Sequence, residues 1–160
     1  MGKRFQRITP FLCFNNQAEE AVRFYTSIFS NSRISRIVLC GDAGPGPKGS
    51  VMAMTFELDG QQFVALNGGP RFQFTEAVSF VVNCQDQQEL DTYWEKVSEG
   101  GRKMECGWVT DKFGLSWQIV PAVLDQMLLD PDETKAQKVM NAMLGMKKLD
   151  IAGLEAAYRS

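Results

Sequence analysis

The chain contains no histidine. That absence removes Ser-His-Asp and Cys-His nucleophilic catalysis. It also removes the commonest protein ligand for catalytic zinc, iron, nickel or copper. An all-carboxylate site for magnesium or calcium stays open, but no EF-hand spacing supports one. Long apolar runs are missing too: no stretch approaches the roughly 18 unbroken apolar residues of a membrane span. Charge of one sign is never concentrated. The 17 Lys and Arg and 19 Asp and Glu are scattered, for a net charge of −2. This argues against a nucleic-acid footprint or a polybasic membrane patch. The opening MGKRFQRITPF is basic, but no apolar signal core or small-residue cleavage site follows it. Cytoplasmic residence is therefore the expectation. Cys13, Cys40, Cys84 and Cys106 form no CxxC pair. With no export signal they read as reduced thiols, and the first three lie in or beside apolar runs.

What is present is a repeat. Shifted by 69 residues, Glu20 lands on Glu89, Phe24 on Tyr93, Tyr25 on Trp94, Ile28 on Val97 and Arg33 on Arg102. Each half runs apolar strand, amphipathic helix, basic residue, then more strand. At 160 residues the chain fits one domain that buries about 70% of its unfolded surface.

In the first half, residues 8–14 read as a strand and 17–29 as a helix. Asn16 stands at its N-cap, with Glu19 completing a capping box. Ala18, Ala21, Val22, Tyr25, Ile28 and Phe29 build one apolar face. Strands are expected at 33–40, 51–58 and 61–67, the last two joined at Asp59-Gly60, a hairpin signal. In the second half, a strand at 77–83 precedes a helix capped by Asp86, with Leu90, Tyr93, Trp94 and Val97 as its stripe. Gly100-Gly101 stop it, and strands follow at 103–110 and 115–120. Residues 122–129, 132–144 and 150–158 read as helices of a Met-rich tail.

Two glycine-rich segments fail as nucleotide loops. Gly41–Gly49 lacks the GxxxxGK[ST] pattern, and Pro45 and Pro47 have no amide hydrogens to cradle phosphate. Asn67-Gly68-Gly69-Pro70 is followed by no helix. Mobile lips beside a cleft are the expectation for both. No strand leads through a glycine-rich turn into a helix of the kind that holds S-adenosylmethionine.

The segment Cys106-Gly107-Trp108-Val109-Thr110-Asp111-Lys112-Phe113-Gly114-Leu115-Ser116-Trp117-Gln118-Ile119-Val120-Pro121 carries a resemblance. So do the opening Ile8-Thr9-Pro10-Phe11-Leu12-Cys13-Phe14 and the helix Glu19-Glu20-Ala21-Val22-Arg23-Phe24-Tyr25. Together they resemble the PhnB-like, or demethylubiquinone methyltransferase-like, family of the vicinal oxygen chelate superfamily, which includes glyoxalases, extradiol dioxygenases and bleomycin-resistance proteins. The resemblance spans residues 5 to about 121, and the tail from Leu149 to Glu155 is similar to the family's.

The resemblance implies an α+β fold: two βαβββ modules forming a glyoxalase-like half-barrel, with a helical C-terminal tail. It gives one glyoxalase-like domain over 1–160, with module one at 5–70, module two at 76–121 and the tail at 122–160. It also implies a homodimer. In metal-dependent relatives four inward positions hold the ion. Strand register carries them to Thr9, Asn67, Ser79 and Gln118, none of which is an imidazole or a carboxylate. Neutral hydroxyls and amides are poor transition-metal donors, so no metal and no cofactor are expected. A polar-lined cleft for a small organic molecule remains, with Phe56 and Trp108 as aromatic contacts. Trp117 and Phe80 are adjacent to Gln118 and Ser79 and so face the helix layer. The competing reading makes Ser79 and Gln118 satisfied core polars. Cys106 is a candidate reactive thiol if Arg102, Lys103 or Lys112 lowers its pKa, and otherwise a packing residue.

Three functions follow as expectations. The first is a metal-free small-molecule-binding protein in a sequestration or resistance role. The second is a metal-dependent lyase, isomerase or dioxygenase. The third is an interaction module whose cleft is filled by its own side chains.

Overall fold

The computed structural model describes residues 5–160; the basic opening at 1–4 lies outside them. The chain divides into two compact units, Met1–Gln73 and Phe74–Ser160. Unit 1 contains β1 (Phe11–Phe14), α1 (Ala18–Ile28), β2 (Arg33–Leu39), β3 (Val51–Leu58) and β4 (Gln61–Asn67). Unit 2 contains β5 (Ser79–Cys84), α2 (Gln87–Ser98), β6 (Arg102–Lys103), β7 (Trp108–Thr110) and β8 (Ser116–Pro121). The tail of unit 2 adds α3 (Leu124–Leu128), α4 (Glu133–Leu144) and α5 (Ile151–Arg159).

Both sheets have one topology. Unit 1 is ordered β1-β4-β3-β2 and unit 2 β5-β8-β7-β6. In each, the first strand runs parallel to the last and the others pair antiparallel. Each unit is thus βαβββ, as the repeat requires.

Alternation decides each core. In unit 1, α1 buries Ala18, Ala21, Val22 and Tyr25 in a layer with Leu12, Phe14, Met54, Phe56, Leu58, Phe63 and Ala65. Phe56 stacks on Phe63 at 5.4 Å and on Tyr25 at 6.3 Å. Each such apolar side chain contributes about 1.5–3 kcal/mol. In unit 2, α2 buries Leu90, Trp94 and Val97, and the sheet buries Val109, Trp117 and Ile119. Buried Asp111 locks the β7–β8 turn. Its carboxylate accepts the amides of Phe113 and Leu115 and the Trp117 indole N–H, at 2.9–3.0 Å.

Two local expectations need correction. The expected strand at 103–110 is a hairpin of β6 and β7. Cys106 and Gly107 adopt left-handed φ of 57° and 79°, and the Met104 amide bonds back to the Trp108 carbonyl at 2.9 Å. Gly107 is required there: a Cβ would stand 2.8 Å from the Ile119 carbonyl oxygen. The second correction concerns the start of α1. Its N-cap is Gln17, which makes no side-chain cap bond, and Asn16 plays no such part. The cap arrives from the far end of the sheet. The Asn67 side-chain oxygen accepts the Ala18 amide at 2.9 Å, while its amide donates to the Val51 carbonyl at 3.0 Å. Asn67 thereby ties α1, β3 and β4 together. α2 needs no such help, because Asp86 accepts the Glu89 amide at 2.8 Å and Glu89 accepts the Gln85 amide at 2.6 Å.

The tail packs within unit 2. The carbonyls of Met146 and Lys147 accept the Cys106 and Gly107 amides at 2.8 and 2.7 Å. Gln87 of α2 donates to the Leu149 carbonyl at 3.1 Å and accepts the Ile151 amide at 2.8 Å. Val139, Leu149 and Leu154 are buried. Asp130 and Asp132 serve this packing: Asp132 caps α4, and Asp130 accepts the Tyr158 hydroxyl. Among the described residues, no helix is long and apolar enough to cross a membrane.

The tether makes a testable claim. Asn67→Ala is expected to lower unfolding free energy by about 1–2 kcal/mol, the usual worth of a cap plus a second hydrogen bond. Asn67→Asp keeps the acceptor for Ala18 and should fall between the two. Urea titrations in which Asn67→Ala matches the wild type would contradict the tether.

Candidate functional site

Side chains along each strand alternate between a face under the helix and a face that carries no helix, here called the open face. Strand pairing shows which residues share the open face of each sheet. In unit 2, Ser79 pairs with Ser116, Ser116 with Thr110, and Thr110 with Arg102, forming one rung across all four strands. The next rung is Val81, Gln118 and Trp108. Trp117, in between, is 3% exposed and packs on Phe80 at 5.7 Å under the helix layer, as alternation requires.

Ser79 and Gln118 therefore come together on the open face. The Gln118 side-chain amide donates to the Ser79 hydroxyl oxygen at 3.0 Å. Trp108 stands directly across from Gln118 on the neighbouring strand. Three of the six cleft candidates thus share one surface.

The unit 1 candidates are distributed differently. The Gly68 amide bonds to the Phe14 carbonyl, and the Ala122 amide to the Cys84 carbonyl, both at 2.8 Å. This aligns Phe14 with Cys84, and hence Phe11 with Val81 and Thr9 with Ser79. The partners then match as well: Val64 corresponds to Gln118, Thr55 to Trp108, Gln62 to Ser116 and Glu57 to Thr110. Thr9, half-buried just ahead of β1, falls in the alternation of the open face with Phe11 and Cys13. Phe56 does not. It is fully buried beneath α1, one residue from Thr55, and one residue changes the face. Asn67 does not either. It sits three residues from Val64, on the helix side, occupied with Ala18 and Val51. Both are corrected from cleft contacts to structural residues.

The open-face residues that sequence reasoning passed over are Ser116, Thr55 and Arg33; Glu57, whose strand carboxylate reads as a general base or a solvated group, joins them. Glu57 is 7% exposed and bonded by Arg33, its cross-strand partner, at 2.9 Å. The signal for Ser116 was available, since it lies two residues from Gln118 on the same strand.

No donor set for a transition metal assembles at these positions. In unit 2, Ser79 and Gln118 are neutral; in unit 1, Val64 is apolar and the carboxylate Glu57 is committed to Arg33. Among the described residues, no three His, Cys, Asp or Glu gather as a metal cluster. The residues present do not fit a bound divalent transition metal.

Cys106 is part-exposed in the β6–β7 turn. The cations proposed to activate it are engaged elsewhere. Lys103 pairs with Glu95 at 2.7 Å, Arg102 with Glu76 at 3.4 Å, and Lys112 lies over the Phe113 ring. Cys84 is buried, and desolvation, aided by Glu89 and Asp86, pushes its thiol up to about 12. A folded value above the ordinary 9.0 means that this proton's contribution is complete below pH 9 and is lost as pH rises toward 12. A groove of about 380 Å³ runs along α4, lined by Glu133, Thr134, Gln137, Lys138 and Asn141, and holds none of the candidates.

The fold of these βαβββ units recurs in solved structures of other proteins. The fosfomycin resistance protein FosX of Listeria monocytogenes, solved with Mn(II) and sulfate, shares the fold at 14% identity and a TM-score of 0.52. The match covers 80% of this chain and 97% of that one. A Pseudomonas aeruginosa protein matches at 22% identity and a TM-score of 0.59, over 71% of this chain and 95% of that one. A higher identity links the chain to the PhnB protein of Bacillus cereus. That structure is 39% identical with a TM-score of 0.67, over 73% of this chain and 100% of that one. A family model described as 3-demethylubiquinone-9 3-methyltransferase matches residues 6–120, and the chain belongs to that family. No curated protein sequence matches it.

Thiol chemistry checks the burial pattern. With Ellman's reagent at pH 8, part-exposed Cys13 and Cys106 should react first, and buried Cys40 and Cys84 should need urea. Four equally fast thiols in the folded protein would contradict it.

Proposed function

We propose that this chain is a metal-free small-molecule-binding protein of the glyoxalase/bleomycin-resistance type. The observation that carries the reading is the Ser79–Gln118 hydrogen bond at 3.0 Å, set on an open sheet face beside Trp108. Oriented polar groups next to an aromatic side chain are the usual make-up of an organic-ligand site. The same donors are unsuited to a transition metal, which separates this reading from lyase, isomerase and dioxygenase chemistry that depends on an ion as Lewis acid. A methyltransferase role lacks support from the residues. The strand–helix turns are Asn15-Asn16-Gln17 and Gln85-Asp86, with no glycine to admit a nucleotide. Binding without turnover suits sequestration of a partly aromatic or amphipathic compound. Neither nucleic acid nor a membrane is proposed as a partner.

The protein acts as a homodimer in this reading. β1 and β5 are edge strands, and exposed apolar residues lie in or just ahead of both. Ile8 is 81% and Phe11 61% exposed in unit 1, and Val78 is 63% and Val81 49% exposed in unit 2. Apolar edges of this kind favour pairing with another chain. Cytoplasmic residence accords with four free thiols.

Native mass spectrometry of freshly purified protein tests the reading. The expected spectrum shows a dimer without transition metal, carrying an organic molecule that collisional activation removes. A stoichiometric transition metal would overturn it.

A further inference from the structure

We infer that the open face of unit 2 takes an uncharged head group with both a hydrogen-bond donor and an acceptor, of the carboxamide kind, through Ser79, Ser116 and Gln118. The inference rests on the binding reading above and gives its ligand a chemical class.

Ser116 is the starting point. It is 1% exposed, and its hydroxyl has no hydrogen-bond partner among the described residues. A buried hydroxyl left in that state is destabilising and calls for an occupant. Strand pairing puts Ser116 directly across from Ser79 on the open face. The neighbouring groups have unused capacity as well. The Ser79 oxygen accepts from Gln118, which leaves its own proton to donate. The Gln118 side-chain carbonyl accepts no protein donor among the described residues. The three side chains therefore offer donors and an acceptor side by side. A carboxamide satisfies both kinds at once.

Charge narrows the class. A carboxylate brought here would need a cation, and an amidinium an anion. Arg102, the cation on the Ser116 rung, stands on the far strand and is already paired with Glu76 at 3.4 Å. Val81 and Trp108 flank Gln118 on either side and supply an apolar wall for the rest of the ligand. Unit 1 makes the contrast. There the corresponding rung is closed by the chain itself: Arg33 holds Glu57, and the Gln6 side chain holds the Gln62 main chain at 2.9 and 3.0 Å. On the unit 2 rung the chain engages Arg102 with Glu76 and Thr110 with the Met104 sulfur, but leaves the Ser116 hydroxyl without a partner among the described residues.

Three near-isosteric probes test this on the full-length protein: benzamide, benzoate and benzamidinium, compared by saturation-transfer NMR titration. Benzamide is expected to bind at least tenfold more tightly than either charged probe. Ser116→Ala should weaken benzamide at least fivefold without lowering the melting temperature of the ligand-free protein. Ser79→Ala, read in the same way, serves if Ser116→Ala does not fold. Equal or tighter binding of a charged probe, or wild-type benzamide affinity in the variant, would overturn the head-group assignment and leave the binding reading standing. Should none of the three bind while native mass spectra show a carried organic molecule, this assignment alone fails. No probe bound and no molecule carried overturns both.

Discussion

Strand alternation divides each sheet of this protein into a face beneath its helix and a face without one, and every functional assignment depends on that division. A single residue of register separates a core side chain from a candidate ligand contact. Phe56 is sealed under α1, whereas Thr55 opens outward in register with Arg36 and Val64. Trp117 fills the helix-side core and donates to Asp111, whereas Gln118 reaches Ser79. The large aromatics thus mostly build cores, and the small neutral polars carry the proposed site.

The two repeats have kept one architecture and diverged in how it is completed. Unit 1 places an ion pair on its open face, with Glu57 nearly buried against Arg33. It also caps its helix from a distance through Asn67, because Gln17 contributes no side-chain bond. Unit 2 caps its own helix through Asp86, and the position matching Asn67 is Pro121, which has no side-chain acceptor to offer. Its open face keeps hydroxyls and an amide with spare hydrogen-bonding capacity. The tail, which lies beyond the family match at 6–120, fastens the Cys106–Gly107 turn that leads into Trp108. Residues of the tail therefore fix the backbone next to Trp108, the aromatic candidate of that face.

Much of this was legible in the residues. Apolar spacing located both sheet-covering helices and all three tail helices, and the Asp86 cap and the Asp59-Gly60 hairpin turn read directly. Ser79 and Gln118 came from the family resemblance, as two of the four positions that strand register carries over, and the structure pairs them at 3.0 Å. Asn67 and Phe56 were misplaced because apolar and polar residues do not alternate cleanly along β3 and β4. Met52-Ala53-Met54 and Phe63-Val64-Ala65-Leu66 are apolar on both faces, so pattern alone leaves their register open. The Asn67 cap bridges 49 residues of sequence, a distance at which local capping signals carry no information. The break between β6 and β7 depends on left-handed Cys106, a conformation that a non-glycine residue rarely declares in advance.

The central claim is that this scaffold has neutral groups where an ion would need charged or imidazole ligands. Titration of freshly purified protein with Mn(II), read by the electron paramagnetic resonance signal of the free ion, tests it most directly. The account predicts that free Mn(II) rises in step with added metal, showing no stoichiometric site. One equivalent taken up per chain, and released by Gln118→Ala, would contradict it.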